Sequence, residues 1–594
     1  MNQLQKRILN SFWMLVLLCL GCVISVLAQH QIHFHEHPVL ISIKEAKEAG
    51  NLSADDAILQ MHYAAYRPEK LDDRFREGQN DTPIKCMVPV SLEFEEIRSE
   101  LRPSTIAEID DMKSSAVSNM AQSYVSPSGK FIFKYDTSGI DAVSDEQTLA
   151  GAIEAGIPDY IYKAAFAADS SYRYQVEELG FSDFAGSAPY EIRFDNFGFY
   201  GTTTSSGSTS YITLHNTFNG FPENSHPEGK QIGALYVTIA HEIKHAIQYE
   251  ANRWRGSAGS FNWIEMDATL MEEVVFDDVN DYYNYIKADF NSTEPSTTSI
   301  FGTPQNPTPG AYYHITWMLY FTEVYGMDFW VDVWENVVAD PQIPFIDAIN
   351  ASLILQNETF GRDHLANHIW HMGSGEVFAT TDFGFREREF YPNPFTEFDL
   401  FSVPDSLTQT SLRPLGANYI RANSPNIAIG RPAIRLESTA PGVGIGVIGI
   451  FADGSVQSDM VLNETSANQQ LQTQWNWNGL VDLYIAVVNT NRSRSADYTL
   501  NLESALPEED ILARNYPNPF NPSTRIEFSL NRPKNVRLDI FDSIGRRITT
   551  LLDGELNEGF HFVDFDGSGL ASGVYFYRIS TNEQTLTQKM LLVK

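Results

Sequence analysis

Cysteine is scarce in this sequence, with three residues in 594. Two of them, Cys19 and Cys22, lie in an apolar run near the N-terminus, so Cys86 is the one that remains beyond it. A single cysteine cannot form an internal disulfide. This excludes a disulfide-stabilised scaffold and predicts a fold that depends on hydrophobic cores.

Positive charge is also scarce, with 41 lysines and arginines against 76 acidic residues and a net charge of −35. Such an excess repels nucleic acids and anionic membranes, which excludes both as expected partners. The hydrophobic fraction of 43% and the charged fraction of 20% are typical of folded proteins. The length exceeds that of a single core and predicts three or four domains.

A long apolar run covers residues 12–26, after the basic residues Lys6 and Arg7 and before a small-residue cleavage site at Ala28. This order predicts a signal peptide over residues 1–28. A membrane anchor is the alternative, but the run is short for a full span and no basic stop-transfer flank follows it. We therefore expect export through the periplasm, with no integral membrane span after cleavage.

Hydrophobic periodicity divides the rest of the chain into four regions. Residues 29–125 are polar with helical stretches, which indicates an N-terminal accessory region or pro-region. Residues 126–390 begin with strand patterns and continue after Gly233 as long helices, which predicts an α+β domain. In residues 395–505 and 511–594, short apolar runs alternate with turn residues, which predicts two small all-β sandwich domains.

The segment 233–248 carries the most informative motif. It has helical periodicity, and His241 and His245 lie one turn apart on it. Two imidazoles at this spacing can bind one Zn²⁺ and leave room for a third protein ligand and a water molecule. Glu242 lies beside them, where a carboxylate can accept the proton of that water. The alternative is a pair of surface histidines next to a helix-favouring glutamate.

A third ligand is expected in the next helical run, which places Glu265 within apolar sequence twenty residues after His245. A glutamate at this point, rather than a third histidine, is typical of the gluzincin arrangement. Glu272, two turns later on the same face, is the alternative ligand, or it would hold a ligand histidine from behind.

The segments His241-Glu-Ile-Lys-His245, Trp263-Ile-Glu265 and 274–282 resemble those of a family of secreted zinc metallopeptidases from myxobacteria and Bacteroidota-like bacteria. The resemblance covers about residues 130–385. It implies a zincin-like catalytic domain with one catalytic Zn²⁺, bound by His241, His245 and Glu265, and with Glu242 as the general base. The activity of this family is itself inferred from the motif.

The family pattern also implies a role for Tyr312, which opens the next helix, as a hydrogen-bond donor to the developing oxyanion. Plain aromatic packing is the alternative for this residue. The sequence departs from the family at Leu270, where tryptophan is common, and this position is not a ligand.

Two further features suggest metal ligands. The segment 83–89 around Cys86 is similar to the cysteine switch of other metallopeptidases, in which a thiolate of the pro-region occupies the open position on zinc. A buried, inert cysteine is the alternative. The acidic segment 277–281 is a candidate for structural Ca²⁺, although it lacks the glycine and terminal glutamate of an EF-hand loop, and a helix-end carboxylate cluster is the alternative.

The last region opens with Asn515-Tyr516-Pro517-Asn518-Pro519-Phe520 and continues with the patterns of residues 570–577 and 589–594. It closely resembles the type A sorting domain of the type IX secretion system. The resemblance implies recognition by the type IX machinery at the outer membrane and removal of the tail on release or surface attachment.

The expected function is that of a secreted zinc endopeptidase acting on protein or peptide substrates. A surface binding or adhesion protein is the alternative, in which residues 395–505 bind a partner and the zinc is structural or vestigial. An aminopeptidase or cell-wall amidase is a third option. Glu242 favours an enzyme, because a purely structural zinc site does not need this carboxylate.

Overall fold

The computed structural model describes residues 37–76, 83–115, 120–143, 156–256, 261–290, 301–303, 306–309, 311–391, 393, 396–423, 430–477, 479–505, 510–512 and 515–594. The predicted signal peptide lies outside these residues. The chain forms two compact units, Met1–Ala379 with Gly384–Phe395, and Thr380–Phe383 with Thr396–Lys594.

In the part of the first unit that the structure describes, five α-helices come first and share one hydrophobic core. They are α1 (Pro38–Glu48), α2 (Ala54–Tyr66), α3 (Asp73–Arg76), α4 (Val88–Ile97) and α5 (Pro103–Ser115). The Ser53 hydroxyl accepts a hydrogen bond from the Asp56 amide and so caps the start of α2. The core of these helices also contains Phe197 and Phe199 from the adjoining sheet.

This sheet has six strands in the order β1-β5-β6-β4-β3-β2. They are β1 (Ile84–Cys86), β2 (Gln122–Val125), β3 (Phe131–Tyr135), β4 (Tyr190–Asp195), β5 (Phe199–Ser206) and β6 (Thr209–His215). β3, β4 and β6 are parallel to one another, β5 is antiparallel to β6, and β1 lies at the edge, parallel to β5.

The position of β1 and β2 joins the N-terminal region to the rest of the first unit. Both strands come from residues 29–125, predicted to be a separate accessory region, and both belong to the sheet that continues in residues 126–390. The structure therefore places these two predicted regions in one compact unit. The strand pairing crosses the predicted boundary, and the pairing of β1 with β5 satisfies backbone groups of this short strand.

The other elements of this unit are mainly helical. α6 (Asp159–Tyr172) precedes β4 and continues as a π-helical turn over Arg173–Glu178. After β6 come α7 (Lys230–Asn252), α8 (Phe261–Val275), α9 (Tyr283–Phe290), the strand pair β7 (Phe301–Thr303) and β8 (Asn306–Pro309), α10 (Ile315–Tyr325), α11 (Asp328–Ala339), α12 (Phe345–Leu355) and α13 (Phe360–Met372).

Helix α7 is the centre of the unit, and its residues 232–249 are buried without a break. Gly201 of β5 faces it, and a Cβ there would lie 2.8 Å from Thr238 Cγ2 and 3.0 Å from Glu242 Oε1. The close approach of helix and sheet therefore requires a glycine. The alternative of surface histidines on this helix is wrong, because His241 and His245 are 1% and 0% exposed.

The second unit is all-β. Residues 396–505 form a four-stranded sheet (β10-β17-β12-β15) and a five-stranded sheet (β14-β13-β16-β11-β9) around a shared core. The strands are β9 (Phe398–Leu400), β10 (Asp405–Leu412), β11 (Ala417–Asn423), β12 (Arg431–Ser438), β13 (Val443–Phe451), β14 (Val456–Val461), β15 (Asn468–Gln472), β16 (Leu480–Asn489) and β17 (Ala496–Ala505).

The C-terminal part of this unit has its own core between a three-stranded sheet (β18-β19-β22) and a four-stranded sheet (β21-β20-β23-β24). The strands are β18 (Ile511–Leu512), β19 (Ser523–Leu530), β20 (Lys534–Phe541), β21 (Arg547–Leu556), β22 (Gly559–Asp566), β23 (Gly573–Thr581) and β24 (Thr585–Leu592).

Both predicted β regions thus consist of two sheets. The zincin-like assignment of the first unit stays a prediction. None of the helices in the described ranges is both long enough and apolar enough to cross a membrane.

A half-buried carboxyl group in the second unit predicts a pH dependence of its stability. Glu397 accepts a hydrogen bond from the Tyr419 amide at 2.6 Å, and burial raises the pKa of Glu397 from 4.5 to about 8. Between these values the folded state retains a proton that the unfolded state has lost, so the free energy of unfolding falls as the pH rises. We expect Glu397→Gln to remove this dependence.

The measurement is the unfolding temperature of the second unit from pH 4.5 to pH 9, for the wild type and for Glu397→Gln. The unfolding temperature of Glu397→Gln minus that of the wild type is expected to increase up to about pH 8 and then to level off. Glu437→Gln, at an exposed position of the same sandwich, is the matched control and is expected to follow the wild type. A constant difference between Glu397→Gln and wild type across this range would contradict the assignment.

Candidate metal centre

Four side chains converge at the middle of helix α7. Cys86, His241, His245 and Glu265 each offer one donor atom, these atoms lie within 4.8 Å of one another, and all four residues are buried. The Nε2 atoms of His241 and His245 are 3.1 Å apart. The two carboxylate oxygens of Glu265 are each 3.1 Å from one of these nitrogens, and Cys86 Sγ is 3.5 Å from His245 Nε2.

Three elements supply these donors. The two histidines face the same way from α7 because residues four apart lie on one side of a helix. Helix α8 packs against α7 and brings Glu265 to them, as the spacing from His245 predicts. Cys86 comes from β1, at the edge of the sheet.

On the side away from the donor atoms, His241 contacts a chain of charged groups. Its Nδ1 is 2.7 Å from Glu272 Oε1, and the second oxygen of Glu272 accepts a hydrogen bond from Lys85 Nζ at 2.9 Å. Lys85 also donates to Asp281 at 2.6 Å. Lys85, Glu272 and Asp281 are at most 5% exposed, so they form a buried ion cluster behind the histidine.

The two candidate ligands, Glu265 and Glu272, occupy different positions around His241. The carboxylate of Glu265 is at the Nε2 atoms of both histidines, and that of Glu272 is at the opposite nitrogen of His241. The geometry therefore places Glu265 among the donor atoms and Glu272 behind a donor.

His245 is held by a second chain. Its Nδ1 is 2.8 Å from Gln248 Oε1. The amide nitrogen of Gln248 donates to Ile264 O at 3.0 Å and to Asp267 Oδ2 at 2.7 Å. These two acceptors define the orientation of the amide, so its oxygen accepts from Nδ1–H of His245. Lys244 lies 3.5 Å from Asp267 in the same buried network.

The partners at Nδ1 accept the hydrogen of this atom in both imidazoles, so each ring directs its Nε2 atom to the centre. The two Nε2 atoms lie 3.1 Å apart with a carboxylate beside them, so positive charge at this point, from a proton or a metal ion, stabilises the centre. The centre is built to stabilise such charge. Burial opposes the charged form of His241, but its bonds to Glu265 and Glu272 outweigh burial and raise its pKa to about 10.

The donor set fits Zn²⁺. Imidazole nitrogen, thiolate sulfur and carboxylate oxygen are its usual ligands, and a carboxylate or amide that orients each imidazole is typical of zinc sites. His241, His245 and Glu265 would hold the ion, and Cys86 offers a fourth donor.

Glu242 borders this centre. It is fully buried, and its Oε2 accepts a hydrogen bond from the Thr203 hydroxyl at 2.7 Å. Its Oε1 makes no hydrogen bond within the part of the chain that the structure describes. Burial raises the pKa of Glu242, and the histidines lower it. One of the two carboxylate oxygens of Glu242 is therefore anchored by a hydrogen bond.

Tyr312 also reaches the centre. It is 7% exposed, its ring is 6.2 Å from that of His241, and it packs in one apolar cluster with Cys86 and Ile264. Burial and the neighbouring carboxylate of Glu265 raise the pKa of Tyr312. The tyrosine is thus a neutral hydrogen-bond donor at the edge of the site, and its catalytic role stays a prediction.

The aspartates at the two ends of the predicted calcium segment 277–281 lie in different clusters of charged groups. Asp281 binds Lys85, whereas Asp277 lies with Glu273 and Glu387 in a second acidic group, where it pairs with Arg386. Calcium at either place stays a prediction.

Sequence reasoning missed the residues that hold the histidines, apart from Glu272. They are Lys85, Gln248, Asp267 and Asp281. A signal was present for two of them, because Gln248 and Asp267 are polar residues within otherwise apolar helical runs. Lys85 and Asp281 gave no such signal, because β1 brings Lys85 to the site from a distant part of the chain.

Comparison with known families identifies the C-terminal region. Residues 514–594 match the secretion system C-terminal sorting domain. The chain is therefore exported by the type IX secretion system, with that machinery as a partner, and is secreted or attached to the cell surface. A sequence search of curated proteins found no match.

Similar segments occur in solved structures at low similarity. PorZ, a surface component of the type IX secretion system of Porphyromonas gingivalis, has a TM-score of 0.12 and 17% identity over 18% of this chain and 15% of its own. Latent PorU of the same organism has a TM-score of 0.14 and 16% identity over 33% and 19%. Bacteroides uniformis β-glucuronidase 3 has a TM-score of 0.11 and 14% identity over 31% and 28%. The chain spans less than a third of each of these proteins.

The position of Glu272 predicts an effect on metal affinity without direct ligation. We expect Glu272→Gln to weaken Zn²⁺ binding about 10- to 100-fold, because His241 loses the carboxylate that orients it. The measurement is competition for zinc with a chelator of known affinity.

The matched control is Glu273→Gln, one residue further along α8. Burial, with the neighbouring charge of Glu387, raises the pKa of Glu273 to about 10, so this side chain is neutral at pH 7 and glutamine replaces it with little change. Equal zinc affinity in the two variants would show that Glu272 does not support the centre.

Proposed function

We propose that this chain is a secreted zinc-dependent peptidase that hydrolyses peptide bonds, with Glu242 as the general base. The observation that carries the proposal is the state of Glu242. This carboxylate is 0% exposed, and its Oε1 has no hydrogen-bond partner in the described ranges. A buried polar atom without a partner costs free energy, so its retention beside a metal-binding cluster favours a role in chemistry.

The roles of the residues follow from their positions. His241, His245 and Glu265 would hold the ion, and bound zinc would lower the pKa of a water molecule and polarise the substrate carbonyl. Glu242 would accept the proton of the attacking water at Oε1 and deliver it to the leaving amine. Thr203, which donates to Oε2, orients the carboxylate for this transfer. Tyr312 would donate a hydrogen bond to the oxygen that develops negative charge.

The two chains behind the histidines support this function as well. The proton on each Nδ1 is held by Glu272 or Gln248, so each Nε2 faces the centre in one orientation. Such preorganisation reduces the reorganisation needed during the reaction.

A second candidate is a surface binding protein with a structural zinc site. The observation that favours it is the position of Cys86, which provides a fourth protein donor. Four protein ligands are typical of structural zinc sites, whereas catalytic sites keep one position for water. Glu242 distinguishes the two candidates, because a structural site does not use it.

The test is Glu242→Gln, made both in the native chain and in a Cys86→Ala background. We expect about one zinc per chain in all forms, since Glu242 is not among the donors. Whichever of the two backgrounds, native or Cys86→Ala, cleaves a mixed, denatured protein substrate provides the reference. In that background we expect Glu242→Gln to lower the cleavage rate about 10²- to 10⁴-fold, because the general base is lost. The measurements are metal analysis and peptide release.

Glu250→Gln, at a half-buried position of the same helix, is the matched control and is expected to retain full activity. Cleavage that survives Glu242→Gln would rule out this carboxylate as the base. Bound zinc without cleavage in both backgrounds would favour the structural site.

A further inference from the structure

Cys86 has no part in the proposed hydrolysis, yet it lies in the metal centre. It is the last residue of β1, where it pairs with Gly201 of β5. Its side chain is 2% exposed, and Sγ is 3.5 Å from His245 Nε2. The sulfur is therefore in contact with one of the nitrogen donors of the centre.

The backbone around Cys86 suits a thiolate. The Val88 amide donates a hydrogen bond to Sγ at 3.4 Å. Val88 is also the first residue of α4, whose N-terminus carries partial positive charge. Both features stabilise negative charge on sulfur, but burial and the carboxylates of Glu242 and Glu265 outweigh them and raise the pKa of the Cys86 thiol. The thiolate therefore needs the attraction of a bound metal ion.

We propose that Cys86 binds the metal as a fourth ligand, through its thiolate, and thereby keeps the centre latent. The assignment of the ligand rests on the geometry of the cluster, and the latency rests on the proposed peptidase function. The sulfur occupies the coordination position that the attacking water needs. The centre becomes active when Sγ leaves and water takes its place.

Strand β1 holds the centre from two sides. Cys86 faces the donor atoms, and the preceding Lys85 binds Glu272, which in turn holds His241. Displacement of β1 would free the coordination position, but it would also leave Glu272 and Asp281 buried without their shared cation. Loss of a partner from a buried ion pair is strongly destabilising, so the latent form persists until β1 is displaced.

The edge position of β1 makes such a displacement feasible. β1 has three residues, and β5 is its neighbour in the sheet. Its release therefore breaks one strand pairing and leaves the order of the other strands intact. Regulation of this kind does not require rearrangement of α7 or α8, which carry the other three donors.

The first test uses the full chain loaded with Co²⁺. We expect a thiolate-to-cobalt charge-transfer band in the near ultraviolet for the wild type and for Val90→Ala, a control that truncates another buried side chain of the same N-terminal region. Cys86→Ala should lack this band. X-ray absorption of the zinc form should show one sulfur at about 2.3 Å in the wild type. Absence of the band and of this sulfur would overturn the assignment.

Thiol reactivity provides a test that needs no variant. Iodoacetamide is expected to alkylate Cys86 at least about 10-fold more slowly in the zinc-loaded chain than after removal of the metal, because a metal-bound thiolate is less accessible and less nucleophilic. Equal rates with and without zinc would overturn the proposal, even if Cys86→Ala fails to fold.

Activity separates the ligand assignment from the peptidase function. If both proposals hold, Cys86→Ala should cleave denatured protein at least about 10-fold faster than wild type, because a larger fraction of chains has the open position. A sulfur signature with no cleavage in either form would support the ligand and contradict both latency and the peptidase. Cleavage that depends on Glu242 in a wild type without the sulfur signature would overturn the role of Cys86 and leave the peptidase intact.

Discussion

Charge buried inside the first unit is the constraint on which its architecture depends. His241, Glu242, His245 and Glu265 are at most 1% exposed, although each is ionisable. Such groups are costly to remove from water unless neighbouring groups pair with them. The surrounding elements supply these partners, since Glu272 and Gln248 support the two histidines and Thr203 binds Glu242. The core of this unit is therefore organised around a polar centre.

This constraint accounts for the place of the N-terminal region. Glu272 and Asp281 are buried next to each other, and Lys85 from β1 is the cation between them. Without β1, Asp281 would lose its cation in the interior, and Glu272 would keep only its bond to His241 among these contacts. The strand that supplies this cation also brings Cys86 to the donor atoms. The buried cation Lys85 and the proposed ligand Cys86 thus come from the same three-residue strand.

Patterns that lie within one stretch of the chain were predictable from the sequence. The motif from His241 to His245 lies on one helix, so the helical period alone aligns its side chains. The C-terminal region carries a dense local pattern of prolines, glycines and short strands, and the match of residues 514–594 confirms the sorting domain and the secreted or surface location. Strand pairing crosses the predicted boundary near residue 125, because β1 and β2 join strands from the following region, and such pairing leaves no pattern in local composition.

The sequence by itself determined three features: the pair of histidines with the adjacent Glu242, the choice of Glu265 as a candidate ligand, and the export of the chain. Each depends on spacing along the chain or on one local pattern. Only the tertiary structure decided that Nε2 of His241 contacts Glu265 and that Nδ1 contacts Glu272. It also decided that Cys86 lies at the donor atoms and Lys85 behind them. The physical reason is distance along the chain, because β1 and α7 are more than 140 residues apart and meet only through the packing of a sheet against a helix.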